Sequence, residues 1–317
     1  MENYIEFPNL GWRFEVDKVA FEITENFSVK WYGIIICFAL LLCVFLGFRA
    51  CEKYCMSKDD LMDFILITVP SAIVGARLYY VIFSWDTYKN DLLKIFAVNE
   101  GGLAIYGGII GAIIAVTVVS KVKKIKTMKV IDFMLPYICL GQAIGRWGNF
   151  FNQEAHGGVT DLPWGMTGNI IATAEDGLYA DVLVHPTFLY ESLWCFAAFA
   201  VLMILRKRLT IPGQMTAMYF ILYGVERAFV EGLRTDSLMW GPVRVSQILS
   251  VLLVFLGIGL MVYFTKKKNE AIAAEEIEDD SSIARLVKDM EKQEDDPVEE
   301  VSVSAGVEIE TEEETEV

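Results

Sequence analysis

The chain reads as an all-α polytopic membrane protein of about seven transmembrane helices with an acidic tail, and three observations carry that reading. Apolar residues make up 54% of its 317 residues and gather into runs of bilayer-spanning length. Loops dense in lysine and arginine alternate along the chain with loops sparse in them. The net charge of -15 belongs almost wholly to one terminal segment. Residues 269–317 hold 19 acidic and 3 basic side chains, leaving 23 acids and 24 bases in residues 1–268. The domain division is therefore a near-neutral, oily membrane body over 1–268 and a tail over 269–317. Runs such as Glu294-Asp295-Asp296 offer too little apolar surface to offset chain entropy, so the tail is expected to be disordered.

Seven apolar stretches follow one another at 30–49, 62–84, 102–120, 130–151, 186–205, 214–232 and 245–265. Each is near the ~20 residues that a spanning helix needs. The first begins behind a mixed polar segment rather than a short basic start, so no cleavable signal peptide is expected. The second and fourth carry Arg77 and Arg146 near their ends. Gly107, Gly108 and Gly111 open the third, and Gly141, Gly145 and Gly148 line the fourth, spacings that let membrane helices approach closely. Gly148 has a second reading, since it lies between Arg146 and Asn149, where a ligand could meet the backbone.

The loops orient the chain. One alternating set carries 14 basic residues, including Lys121, Lys123, Lys124, Lys126 and Lys129, while the opposite set carries 7. Positive loops stay in the cytoplasm, which places the N-terminus outside and the acidic tail inside. Polar residues at the ends of the spans then fall on one side of the membrane. They are Tyr32, Arg77, Tyr106, Arg146, Asn149, Glu154, His185, Tyr190, Glu191, Glu226, Arg227, Glu231 and Arg234.

Single members of that set have ordinary explanations. Arg227 and Glu231 are four apart and can pair along one helix. Arg77 can snorkel to the interface, and the tyrosines suit an aromatic belt. Three intramembrane arginines gathered on one face are harder to assign to packing. They suit an anionic, lipid-borne substrate, because arginine forks match phosphate oxygens and keep their charge when partly buried. The six cysteines lie in or beside apolar runs without zinc-site spacing, and two histidines are few for a metal-dependent mechanism. No Walker loop or Gly-x-Ser-x-Gly elbow occurs. Neither a metal, a cofactor nor a nucleic-acid partner is expected.

Several separated blocks resemble one family. Gly145-Arg146-x-Gly148-Asn149-Phe150-x-Asn152-x-Glu154 is similar to the signature of the prolipoprotein diacylglyceryl transferases. So are Trp31-Tyr32-Gly33, Gly75-Ala76-Arg77, Leu162-Pro163-Trp164-Gly165, His185-Pro186-Thr187-x-Leu189-Tyr190-Glu191, and Arg227 with Glu231. The resemblance runs from about Phe7 to about Phe264 and excludes the tail. It implies transfer of the diacylglyceryl group of phosphatidylglycerol to the lipobox cysteine of a bacterial preprolipoprotein. The products are a thioether and glycerol phosphate, formed at the outer leaflet of the plasma membrane.

The resemblance also implies roles. Arg146 and Arg227 would stabilise the departing phosphate. Asn149, Glu154 and Glu231 would orient the headgroup and the arginines, Tyr32 would be a further catalytic residue, and Gly148 and Arg77 would contact substrate. His185, Tyr190 and Glu191 would stand behind them. One position departs from the family: many members carry histidine where this chain has Tyr106 before Gly107-Gly108. Histidine titrates near neutrality, whereas tyrosine, with a reference pKa near ~10, stays protonated there and is a poor base unless strongly perturbed. Either Tyr106 substitutes by hydrogen bonding or a carboxylate such as Glu154 takes the proton. The competing classes are a transporter, which calls for polar residues at mid-depth and an internal repeat, and another phospholipid headgroup enzyme.

Overall fold

The residues ahead of the first apolar run mix charged and aromatic side chains too closely to enter a bilayer. In the computed structural model they form strands: β1 (Tyr4–Phe7), β2 (Trp12–Glu15), β3 (Val19–Thr24) and β4 (Phe27–Lys30). The structure describes residues 3–24, 27–54, 56–97, 101–173, 179, 182–235, 239–241 and 243–295. In β1 the alternation is a strand's: Ile5 and Phe7 are buried while Tyr4 and Glu6 face outward. Gly11, at φ 67°, makes the turn into β2, where a side chain would strain the backbone.

Helices follow where the apolar runs predict them: α1 (Trp31–Ala50), α2 (Lys58–Phe83), the short α3 (Trp85–Tyr88), α4 (Ile105–Val122) and α5 (Thr127–Asn152). After α5 come β5 (Thr167–Gly168), α6 (Asn169–Thr173), α7 (Thr187–Leu205), α8 (Gln214–Leu233), β6 (Met239–Trp240), β7 (Val243–Arg244) and α9 (Val245–Asp295). Among the described residues six helices are long and apolar enough to cross a membrane: α1, α2, α4, α5, α7 and the first part of α9, Val245–Glu270. The remaining expected span corresponds to α8, 20 residues long, whose Glu226, Arg227 and Glu231 keep it outside that set. The chain is a multi-pass membrane protein.

Local chemistry sets the helix ends. Ser57 caps α2 by accepting from the Asp60 amide at 3.0 Å, with Asp59 and Asp60 in the first turn beside the positive end of the dipole. Asp132 of α5 caps α8 by accepting from the amides of Gly213 at 2.6 Å and Thr216 at 2.9 Å. Glycines decide how closely helices pack. A Cβ on Gly75 of α2, or on Gly107 or Gly111 of α4, would collide with the backbone of the other helix. The packing reading of Gly107 and Gly111 is the one the structure fits.

The N-terminal strands are the part of the fold that the all-helical expectation omits. β1 pairs antiparallel with β2 and with β5, in the order β2-β1-β5. Ile5, Phe7 and Val16 pack with Phe150 of α5, Met166, Val184 and Phe188 of α7 in one core. A small β layer thus closes over the Asn152 end of α5. The chain divides into two units, Met1–Thr265 and Lys266–Val317. The tail also departs from expectation, because helix continues through residues 269–295. Alanine and glutamate, both good helix formers, supply ten of those 27 residues, which favours helix locally despite the low hydropathy. Residues 296–317 lie outside the described residues.

Candidate active site

The site grows from one face of α5. Asn149, Arg146, Gln142 and Ile138 recur at helical spacing and line a cavity of about 610 Å³. Its body is apolar, walled by residues such as Leu40 and Val44 of α1, Ile65 and Val69 of α2, and Met134 of α5. Its polar end is made by Arg146 and Asn149 with Tyr32 of α1 and Tyr223 of α8. The shape is that of an amphiphile, with an oily chamber and one cationic end.

Behind Arg146 lies a buried carboxylate. Glu191, only 1% exposed, pairs through Oε2 with Nη2 of Arg146. Arg227 of α8 reaches the same oxygen at 3.7 Å, and Arg234 reaches Oε1 at 3.4 Å. Arg227 also pairs with Glu231 one turn on, and Arg244 donates to the Glu231 carbonyl. A buried carboxylate is costly in a low-dielectric interior unless matched, and three arginines from α5, α8 and the segment after α8 match it. Glu191 therefore fixes the arginines in place while Arg146 still fronts the cavity. The sequence signalled Glu191 only through its block; that it is the hub of the cluster is a tertiary fact. Glu226 is 3% exposed, and its Oε1 has no hydrogen-bond partner among the described residues.

At the end of α5 the chain turns sharply around Glu154. Gln153 and Ala155 on either side have φ of 50° and 55°, left-handed values that non-glycine residues adopt only when held. Gln153 is held by the Ile170 amide, which donates to its Oε1 at 3.1 Å, and Thr187 donates to the Ala155 carbonyl. This strained turn presents Oε1 of Glu154 to the amides of both Asn149 and Asn152, each at 3.0 Å. Gln153 is a positioning residue that sequence reasoning did not single out.

Other expected site residues have different employment. The Tyr32 ring packs on Gly148, where a Cβ would collide with it, so the missing side chain admits Tyr32 rather than a ligand. Arg77 is buried, and all five of its N–H groups go to backbone carbonyls. Nε donates to Ile95 at 2.8 Å, Nη1 to Gly101 and Gly102 at 2.7 and 3.1 Å, and Nη2 to Lys94 and Ala97 at 2.6 and 3.2 Å. It clamps a loop and has no donor left for a phosphate. Arg227 and Glu231 join the ion cluster but do not line the cavity. Tyr106 is half-exposed at the start of α4, its ring 6.4 Å from that of Tyr79. His185 faces the Tyr190 hydroxyl at 3.3 Å, which accepts from Trp164 Nε1 at 2.7 Å. Partial burial holds the His185 imidazole below the usual histidine range. Among the described residues no group of three or more His, Cys, Asp or Glu is placed to hold a metal ion.

Fold and site together define a multi-pass membrane protein that presents an arginine cluster at the polar end of an apolar cavity. The chain belongs to the prolipoprotein diacylglyceryl transferase family, a family of transferases, whose model matches residues 18–263. It is 46% identical over 253 residues to the phosphatidylglycerol–prolipoprotein diacylglyceryl transferase of Finegoldia magna, covering 80% of this chain and 97% of that one. The Listeria innocua enzyme of that name is 44% identical over 255 residues, covering 80% and 92%. That of Clostridioides difficile is 42% identical over 260 residues, covering 82% of this chain and 100% of its own.

Proposed function

We propose that this protein transfers the diacylglyceryl group of phosphatidylglycerol to the lipobox cysteine of a bacterial preprolipoprotein. The observation that carries the proposal is the cavity, whose oily body ends at Arg146, Asn149, Tyr32 and Tyr223, in a member of this family. The acyl chains occupy the apolar wall and the phosphate meets Arg146. The cysteine thiol loses its proton, and its sulfur attacks the glyceryl carbon bonded to the phosphate oxygen. The S–C bond forms as the C–O bond breaks, and glycerol phosphate leaves with the electron pair. Charge develops on that leaving group, and Arg146, backed by Arg227 through Glu191, is preplaced to meet it.

Glu154 takes the thiol proton in this proposal. It is held beside Asn149 by a strained turn, whereas no hydrogen bond reaches the Tyr106 hydroxyl among the described residues. Tyr106→Phe then keeps wild-type transfer, and Tyr106→His gains little. Loss of transfer in the phenylalanine variant would return the base to the tyrosine. In this reading the Asn152 end of α5 lies at the outer leaflet of the plasma membrane, with seven spans and the C-terminal tail in the cytoplasm; the bias of 14 basic residues against 7 between alternate loops supports that orientation.

The test is direct. Purified protein in detergent is incubated with phosphatidylglycerol and a lipobox peptide, and glycerol phosphate release and peptide mass are followed. The expected result is a peptide heavier by one diacylglyceryl group, absent with Arg146→Ala. A folded sample that yields no such product excludes the reading.

A further inference from the structure

Below its cationic end the cavity wall is apolar on most sides, yet α5 presents one carboxamide to it. Gln142 lines the cavity one helical turn beneath Arg146. Four residues of α-helix advance about 6 Å along the axis. That offset is the length of a glycerol backbone between a phosphate and the acyl esters below it. Gln142 is oriented from behind: its Nε2 donates to the Tyr219 hydroxyl at 3.2 Å, and that hydroxyl lies 3.4 Å from its Oε1. Tyr219 is itself stacked on Tyr223, which borders the polar end of the cavity. The carboxamide nitrogen carries two hydrogens and Tyr219 takes one. The other has no partner among the described residues, and Thr68 and Tyr137 are the remaining polar side chains on the wall away from Arg146.

We infer that Gln142 reads the ester linkage of the bound lipid, donating to an acyl ester carbonyl while Arg146 holds the phosphate. The inference rests on the proposed transferase reading and names a specificity device within it. An ester carbonyl is a good acceptor, and an ether-linked lipid places only a weaker ether oxygen there. A donor facing the cavity with no partner is costly, so the site favours diacyl over dialkyl lipid. At Gly145, three residues on, a Cβ would crowd Ile36 of α1.

The experiment uses the full chain in detergent with a lipobox peptide and, in parallel, diacyl phosphatidylglycerol or its dialkyl ether analogue. Wild type is expected to favour the diester by about tenfold in kcat/KM, the value of one hydrogen bond. In Gln142→Leu and the near-isosteric Gln142→Met that ratio falls to near one, because the diester rate drops while the diether rate is kept. The retained diether rate reports that the variants fold. Tyr219→Phe, which frees the carboxamide from its support, lowers the ratio partway.

An unchanged ratio in both Gln142 variants overturns the inference, as does a wild-type ratio near one. Loss of activity on both lipids in both variants assigns Gln142 to the fold and overturns it equally. No thioether product from either lipid with wild type fails the transferase reading itself, and is distinguishable from all of these.

Discussion

Toward the Asn152 end of α5, Arg146 rests on a buried carboxylate and keeps part of its surface in the cavity, its side chain 27% exposed. Toward the Thr127 end, Arg206 is 6% exposed, and its guanidinium sits 3.7, 4.7 and 5.4 Å from the ring centroids of Tyr54, Phe133 and Tyr137. It donates to the Tyr137 hydroxyl at 3.0 Å and the Phe133 carbonyl at 3.4 Å. Arg206 is thus consumed by the fold, joining the helix ends through cation–π contacts and hydrogen bonds. Arg146 is anchored on one side and left unspent on the other. A buried arginine is therefore not evidence of a ligand site by itself. What separates the two is whether packed neighbours enclose the guanidinium or leave part of it open to a cavity.

That contrast can be broken by substitution. Arg146→Ala is expected to lower transfer by about a hundredfold to a thousandfold in kcat, the usual loss when a preplaced donor to developing charge is removed. Arg206→Ala is expected to leave kcat of the folded enzyme near wild type and to cost about 2–3 kcal/mol of stability. Turnover and detergent-phase thermal unfolding measured on both variants decide it. A large kcat loss in Arg206→Ala with unchanged unfolding would erase the distinction.

Arg77 sharpens the same comparison with a smaller effect. Its five bonds to carbonyls of residues 94–102 cannot be reproduced by lysine, which has a single cationic centre. Arg77→Lys is expected to loosen that loop at a cost of about 1–3 kcal/mol. Limited proteolysis should cut faster between Leu92 and Gly102, with KM for phosphatidylglycerol changed little. A rise in KM without faster cleavage would place Arg77 on the substrate instead.

The smallest expected effect is electrostatic. Burial keeps the His185 imidazole neutral below its ordinary value of 6.5. In the window just beneath that value the unfolded chain takes up a proton that the folded chain refuses. This contribution to stability is therefore present above 6.5 and lost as pH falls toward the lower folded value. Unfolding temperature should decline modestly over that window, and His185→Asn should flatten the decline. An equal slope in the variant would show that other groups carry it.

Much of the membrane body was legible because the bilayer imposes it. A spanning helix must satisfy its backbone internally and cover its length with apolar side chains, so the runs at 30–49 and 186–205 coincide closely with α1 and α7. Arg146, Asn149 and Glu154 stood out as candidates for the converse reason, since polar groups near that depth are expensive. The strands at Tyr4–Phe7 and Trp12–Glu15 were not legible, because the strand that completes their sheet, Thr167–Gly168, comes from far along the chain. The packing of the Tyr32 ring on Gly148 was not legible either, because a glycine's sequence position does not say which side chain fills the space.

By itself, then, the sequence determined the helical membrane body, the segregation of charge between loops, and the set of polar residues from which a site could be made. Each of these depends on local composition against a uniform solvent, water or lipid. Only the tertiary structure decided that Glu191 gathers Arg146, Arg227 and Arg234, that Arg77 and Arg206 are committed elsewhere, and that Gln142 faces the cavity. Those are questions of which donors meet which acceptors across helices far apart in the chain. The one-dimensional pattern carries the supply of such groups but not their pairing.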